Sequence, residues 1–349
     1  MNIAKSTQEY ERWLAGEVEL LPEDLKRKHE EMRSAVFPFF RATFYRWAET
    51  WEDVCGRSAR AMRVLAVGDL HVENFGTWRD IEGRLIWGIN DFDEAAKLPY
   101  TNDLIRLATS ALLAGMTCDG KAGVAAILEG YRAGAAAGGR PFALAEDHPA
   151  LRKMAVHRLH DPEVYWAKLR GLPETSPVPD GARKALERMM PERGLVLRIG
   201  HRIAGLGSLG RQRYVALADW RGGVIAREAK ALAPSAANRE GGIRYQEILD
   251  RAVRCADPFV RVQRRWIVRR LAPDCSRIEL PALPKHRDEL RLLHAMGFET
   301  ANIHVGTVKS AALTKDLKAR GRSWLYTAAR AMEKTVRADF AAFRDYSTR

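Results

Sequence analysis

Cysteine is scarce: the chain has four in 349 residues (Cys55, Cys118, Cys255 and Cys275), with no C-x-x-C pair among them. That scatter fits neither a structural zinc site nor a disulfide framework. No stretch approaches the roughly 18 consecutive apolar residues of a membrane helix. The opening MNIAKSTQEYERW lacks the apolar core of a secretory signal. These absences predict a cytoplasmic protein with no membrane partner. Acidic residues are outnumbered, 44 against 57 basic ones, for a net charge of +13. Nucleotide phosphates, an anionic acceptor or nucleic acid would suit such a surplus. The basic residues are mostly Arg and spread over every segment, and no nucleic-acid motif accompanies them, so most of the charge is read as solvated surface. A hydrophobic share of 46% is that of an ordinary globular chain, long enough for two domains or one two-lobed body.

Chemistry concentrates between Val64 and Arg106. Val64–Val67 and Leu85–Ile89 read as short strands, each followed by a polar loop. The first delivers Asp69 and then Asn74; the second delivers Asp91 and Asp93. Set side by side, the two strands would bring Asp69, Asn74 and Asp91 to one sheet edge. Carboxylates with an amide oxygen suit a hard cation, and magnesium fits best, bound through one or two carboxylates and substrate phosphates.

The spacing D-x-x-x-x-N, then Asp-Phe after a strand, is that of the protein-kinase catalytic loop and metal-binding Asp. Gly68-Asp69-Leu70-His71, Asn74 and Asp91-Phe92 resemble the aminoglycoside-phosphotransferase motifs more closely. Closest is the uncharacterised bacterial family known as domain of unknown function 2252, marked by G-D-x-H-x-x-N-F-G, N-D-F-D-E and D-L-x-R-L, all present from Gly68 to Leu107. The resemblance implies that Asp69 orients or deprotonates an acceptor hydroxyl, while Asn74 and Asp91 hold magnesium. Asp93 becomes a further metal ligand or a carboxylate behind one, and His71 braces the catalytic loop. Asp103, in the first turn of a helix expected over Pro99–Gly115, takes a structural role beneath that loop. Arg41 matches an Arg of the same family and reaches either a phosphate or a structural ion pair.

Upstream, Phe37, Phe40, Phe44 and Trp47 recur at helical spacing, within a helix expected over Lys28–Trp51 and interrupted near Pro38. Downstream, Gly205, Gly207 and Gly210 form G-x-G-x-x-G. Arg213–Leu217 reads as a strand where a dinucleotide site would need a helix, so the turn suits a hairpin over ATP phosphates. The next strand carries Arg227 and Lys230 on opposite faces, of which only one can enter the cleft; spacing favours Arg227. Glu247, on a helix expected from Ala237 to Cys255, stands where a kinase Glu pairs with the strand cation. Gly205, Gly207, Ser208, Gly210, Arg227, Lys230 and Glu247 are therefore the expected ATP contacts. His304 is read as a packed or capping residue.

The catalytic loop precedes the glycine turn, the reverse of ordinary kinases. The expected fold is α+β, kinase-like and two-lobed with permuted lobe order. A mainly helical catalytic lobe spans 1–194, a β-rich nucleotide lobe 195–284, and returning helices 285–349. The expected function is ATP- and magnesium-dependent phosphoryl transfer to a small-molecule or protein acceptor. Nucleotidyl transfer, or a non-catalytic nucleotide sensor or nucleic-acid binder, are the alternatives.

Overall fold

A computed structural model describes residues 1–144, 148–157, 159–275 and 286–346 of the chain. Four helices come first: α1 (Ile3–Glu17), α2 (Pro22–Ser34), α3 (Val36–Ala42) and α4 (Phe44–Cys55). The region expected as one interrupted helix is thus three, broken at Ala35 and Thr43, whose backbones leave the helical range. Strands β1 (Arg63–Ala66), β2 (Phe75–Arg79), β3 (Leu85–Ile89) and β4 (Ala96–Pro99) lead into α5 (Thr101–Leu113) and α6 (Gly120–Ala137). Short β5 (Phe142–Ala143) and helices α7 (Pro149–Val156), α8 (Pro162–Arg170) and α9 (Asp180–Arg188) follow.

The second half opens with β6 (Arg198–His201), β7 (Arg213–Trp220) and β8 (Gly223–Ala231), then α10 (Tyr245–Arg251), β9 (Arg261–Gln263) and β10 (Trp266–Leu271). Three helices close the chain: α11 (His286–Val305), α12 (Ser310–Ala319) and α13 (Trp324–Tyr346). The molecule is mixed α+β, with three small sheets among the described residues: β1-β4, β2-β3-β5 and β6-β7-β8-β10-β9. Residues 276–285, which include the expected boundary at 284 and the first residue of the last expected segment, lie outside the described residues.

The main core draws on both ends of the chain, from Ile3 in α1 to Phe343 in α13. The five-stranded sheet has its own apolar layers. Ala182, Ala185 and Leu186 of α9 pack under Tyr214, Ala229 and Val268, and Leu169 of α8 packs against Val215 and Leu217. Those two helices precede residue 195, so the packing around this sheet draws on residues from both sides of that position. No helix among the described residues is long and apolar enough to cross a membrane.

Candidate active site

The acidic loops meet without the strand pairing expected of them. β1 pairs with β4, in register from Arg63↔Pro99 to Ala66↔Ala96, and β3 pairs with β2 and β5. Convergence is made by the loops themselves: Asn90 N donates to Asn74 O at 3.0 Å, and Asn74 Nδ2 donates to Asp69 O at 2.7 Å. Beneath them the Asp103 carboxylate accepts from Val67 N (2.7 Å) and Gly68 N (3.0 Å). It is held from behind by His304 Nε2 at 2.9 Å, whose other ring nitrogen meets Tyr131 Oη at 2.7 Å. Gly68 has φ +82°, and a Cβ there would lie 2.2 Å from Glu94 O, so the sharp approach to Asp69 requires glycine.

Asp69 is gripped by a residue to which the sequence motifs gave no role. Arg106 Nε lies 2.9 Å from Asp69 Oδ1, and Arg106 Nη2 also donates to Phe40 O at 3.0 Å. The guanidinium carbon sits 4.1 Å from the centre of the Phe40 ring, with Phe44 and Trp47 each at 5.0 Å. The aromatic spacing that marked a buried helix face therefore also builds a cage for this cation. Burial pushes the Asp69 carboxyl above the ordinary range, against the pull of Arg106. Arg106 belongs to the D-L-x-R-L run, which was the available signal.

Lys230, only 1% exposed at its side chain, reaches Asp91 at 3.2 Å and Asp93 at 2.6 Å. Burial alone would raise Asp91, but Lys230 and Arg269 hold it well below the usual carboxylate range. Asp93 is raised by burial and by the charge of Asp91. Its Oδ1 is buried without a hydrogen-bond partner among the described residues, an acceptor open to a cation or a protonated group. No three His, Cys, Asp or Glu side chains among the described residues form a ready metal cage. The donor set of Asp91, Asn74 and Asp93 therefore fits magnesium only in its usual manner, completed by phosphate oxygens and water.

The glycine turn lies over these loops. A Cβ on Gly207 would stand 3.2 Å from Arg41 O and 3.5 Å from Asp69 Oδ2. Gly205, Gly207 and Ser208 line a cavity of about 50 Å³ together with Asp69, Asn74 and Asp91. Ser208 Oγ accepts from Arg213 Nη2 at 2.7 Å, which ties the turn to β7. Gly210 (φ +93°) packs instead on Leu25 of α2. Lys28, also from α2, donates to Gly207 O at 3.1 Å, and burial brings its ammonium down to about 8. Nothing in the local sequence around Lys28 announces this long-range contact.

Other expected contacts fall elsewhere. Arg227 occupies the opposite face of β8 from Lys230, donating to Met189 O at 3.0 Å with its guanidinium 4.7 Å from the Phe259 ring. Alternation separates the two cations as expected, but it is Lys230, not the residue favoured by spacing, that meets Asp91. Glu247 pairs with Arg244 (2.7 Å) and Arg251 (3.4 Å) on its own helical segment rather than with a β8 cation. The acid on β8 itself is Glu228, fully buried and shared by Arg202, Arg213 and Arg269. Arg41 forms an ion pair with Glu73 at the cavity rim. His71 Nδ1 accepts from Glu73 N at 3.2 Å, capping the turn that presents Asn74.

These features define a mixed α+β protein with a carboxylate-lined cleft closed by a glycine turn and a buried lysine. Residues 20–133 match the family model described as "Uncharacterized protein conserved in bacteria (DUF2252)", so the matched segment contains both acidic loops and Arg106. The chain matches no curated protein and no solved structure.

Proposed function

We propose that the chain is an ATP- and magnesium-dependent phosphotransferase with a kinase-like division of labour and permuted lobe order. One observation carries the reading: the glycine turn, Lys230 and both acidic loops share one site although the turn lies more than a hundred residues beyond Asp91. Protein kinases likewise combine a glycine loop, a strand lysine, a catalytic-loop Asp and Asn, and a metal-binding Asp. The turn joins β6 to β7 and the lysine follows on β8, with α10 next, so the nucleotide elements keep that internal order while following the catalytic loop.

Asp91 and Asn74 would hold magnesium, with Asp93 alongside; the ion would neutralise charge on the phosphates. Asp69, fixed by Arg106, takes the proton of the acceptor hydroxyl as its oxygen bonds to the terminal phosphorus. The bond from that phosphorus to its bridging oxygen breaks, and ADP leaves with the electron pair. A carboxyl raised by burial is a better proton acceptor than an ordinary one. Lys230 neutralises phosphate charge on the other side.

The test incubates the protein with magnesium, fractionated cell extract and ATP labelled at either the α or the γ position. Label transferred only from the γ position supports the proposal. Transfer from the α position instead would establish nucleotidyl transfer, and failure of the folded protein to bind MgATP would end both readings.

A further inference from the structure

Two larger cavities lie in series beside the one at Asp69. The middle cavity, about 340 Å³, is lined by five arginines: Arg202, Arg213, Arg254, Arg269 and Arg270. Three of them share Glu228, and Asp91 and Asp257 also border this space, which leaves cations in excess. Arg254 Nε and Arg270 Nε and Nη2 are buried without hydrogen-bond partners among the described residues. Desolvated cationic donors left unpaired are costly, and an anion removes that cost. The outer cavity, about 860 Å³, is walled by Leu169, Leu172, Pro173 and Ile203, with the His160 and Tyr165 rings stacked at 5.4 Å and 26°.

The three spaces adjoin in series. His160, Arg202 and Ala204 border both the outer and the middle cavity, and Asp91 and Gly205 border both the middle one and the one at Asp69. Residues 201–208 run along them in order, His201 to Ala204 outermost and Leu206 to Ser208 over Asp69. We infer that they hold one extended ligand, a nucleoside triphosphate, with its base in the outer apolar cavity, its phosphate chain along the arginines and its terminal phosphate at Asp91. Size fixes the direction. A cavity of about 150 Å³ is what accommodates a single benzene ring, so the 50 Å³ beside Asp69 cannot take a base, whereas the outer cavity can. Charge agrees, since phosphates displace no apolar surface among guanidinium groups and a base wants a stacking platform.

This inference rests on the phosphotransferase reading, and binding measurements separate the two. MgATP and magnesium tripolyphosphate are titrated into the full chain, its Arg270→Gln variant, and two outer-cavity variants. Val164→Trp fills the outer cavity from a position that is 69% exposed, so folding is not at risk; Tyr165→Ala removes the ring platform. Both outer variants are expected to weaken MgATP about tenfold while leaving tripolyphosphate within about twofold. Arg270→Gln is expected to weaken both ligands. If MgATP binds the unaltered chain and Val164→Trp binds it equally well, the base lies elsewhere and the inference falls while the phosphotransferase reading stands. If the unaltered chain binds neither ligand, both fall.

Discussion

Asp69 Oδ1 and Arg106 Nε stand 2.9 Å apart, with the guanidinium wholly buried among three aromatic rings. Asp69→Asn keeps the shape but removes the charge and the proton acceptor. Turnover is expected to fall on the order of a hundredfold or more, with MgATP affinity changed little. An Asp69→Asn protein with near-normal turnover would show that Asp69 merely shapes its loop. Arg106→Leu leaves Asp69 without its partner, and a loss of about 3 kcal/mol in denaturant-unfolding stability is expected.

The two cations of β8 make a paired test. Lys230→Gln and Asp91→Ala are each expected to cost MgATP affinity at least about tenfold by calorimetric titration, because each removes a charge facing the cleft. Arg227→Gln, on the far face beside Phe259, is expected to leave affinity unchanged. Equal losses from Lys230→Gln and Arg227→Gln would place the phosphate chain somewhere other than beside Asp91.

Two glycines separate folding from function. At Gly68 an alanine meets the Glu94 carbonyl at 2.2 Å in a left-handed backbone, so Gly68→Ala is expected to lower stability by about 2–4 kcal/mol. At Gly207 the nearest atoms are 3.2 and 3.5 Å away, and φ is not in the left-handed range. Gly207→Ala is expected to fold with a melting temperature near that of the unaltered chain yet crowd Asp69 and slow turnover. A normal turnover rate in Gly207→Ala would detach the turn from the reacting centre.

Glu299 sits behind the loop that carries Asp91, accepting from Ile89 N at 3.2 Å and Asn302 Nδ2 at 2.7 Å. Burial raises its carboxyl from 4.5 to about 7, with Arg254 opposing. The folded chain therefore holds a proton that the unfolded chain releases, so stability is fullest below 4.5 and declines as pH rises through about 7. The contribution is on the order of 3 kcal/mol. Thermal unfolding from pH 5 to 8 is expected to show a steeper decline for the unaltered chain than for Glu299→Gln. Parallel curves would mean that Glu299 titrates normally.

Local chemistry was legible where residues adjacent in sequence act together. Leu85–Ile89 is a strand with the expected bounds, and Asp69, Asn74, Asp91 and Asp93 do gather at one cavity. Pairing partners were not legible, since apolar strands such as β1 and β3 announce their faces but not their neighbours. The same gap lies behind Arg227: residue spacing borrowed from a motif does not reveal which side of β8 faces the loops, whereas its register with β10 and β7 does. The helix expected from Ala237 shortens to Tyr245–Arg251 because Gly242 takes φ +72° just before it. The Arg106 cage escaped notice because its parts come from three separate helices, α3, α4 and α5.

The chain's own beginning is tied to its glycine turn. Leu21 N donates to Gly210 O at 2.8 Å, Leu20 bridges to Arg211, and Lys28 holds the Gly207 carbonyl. Those ties act as a latch on the turn that lies over Asp69. A turn that moves when a ligand binds therefore strains or breaks its ties to residues 20–28. The Leu21 amide, bonded to the turn and bordering the outer cavity, becomes a reporter of occupancy. Its hydrogen exchange is expected to change when MgATP is added, and an indifferent Leu21 amide would show that the turn moves without the latch.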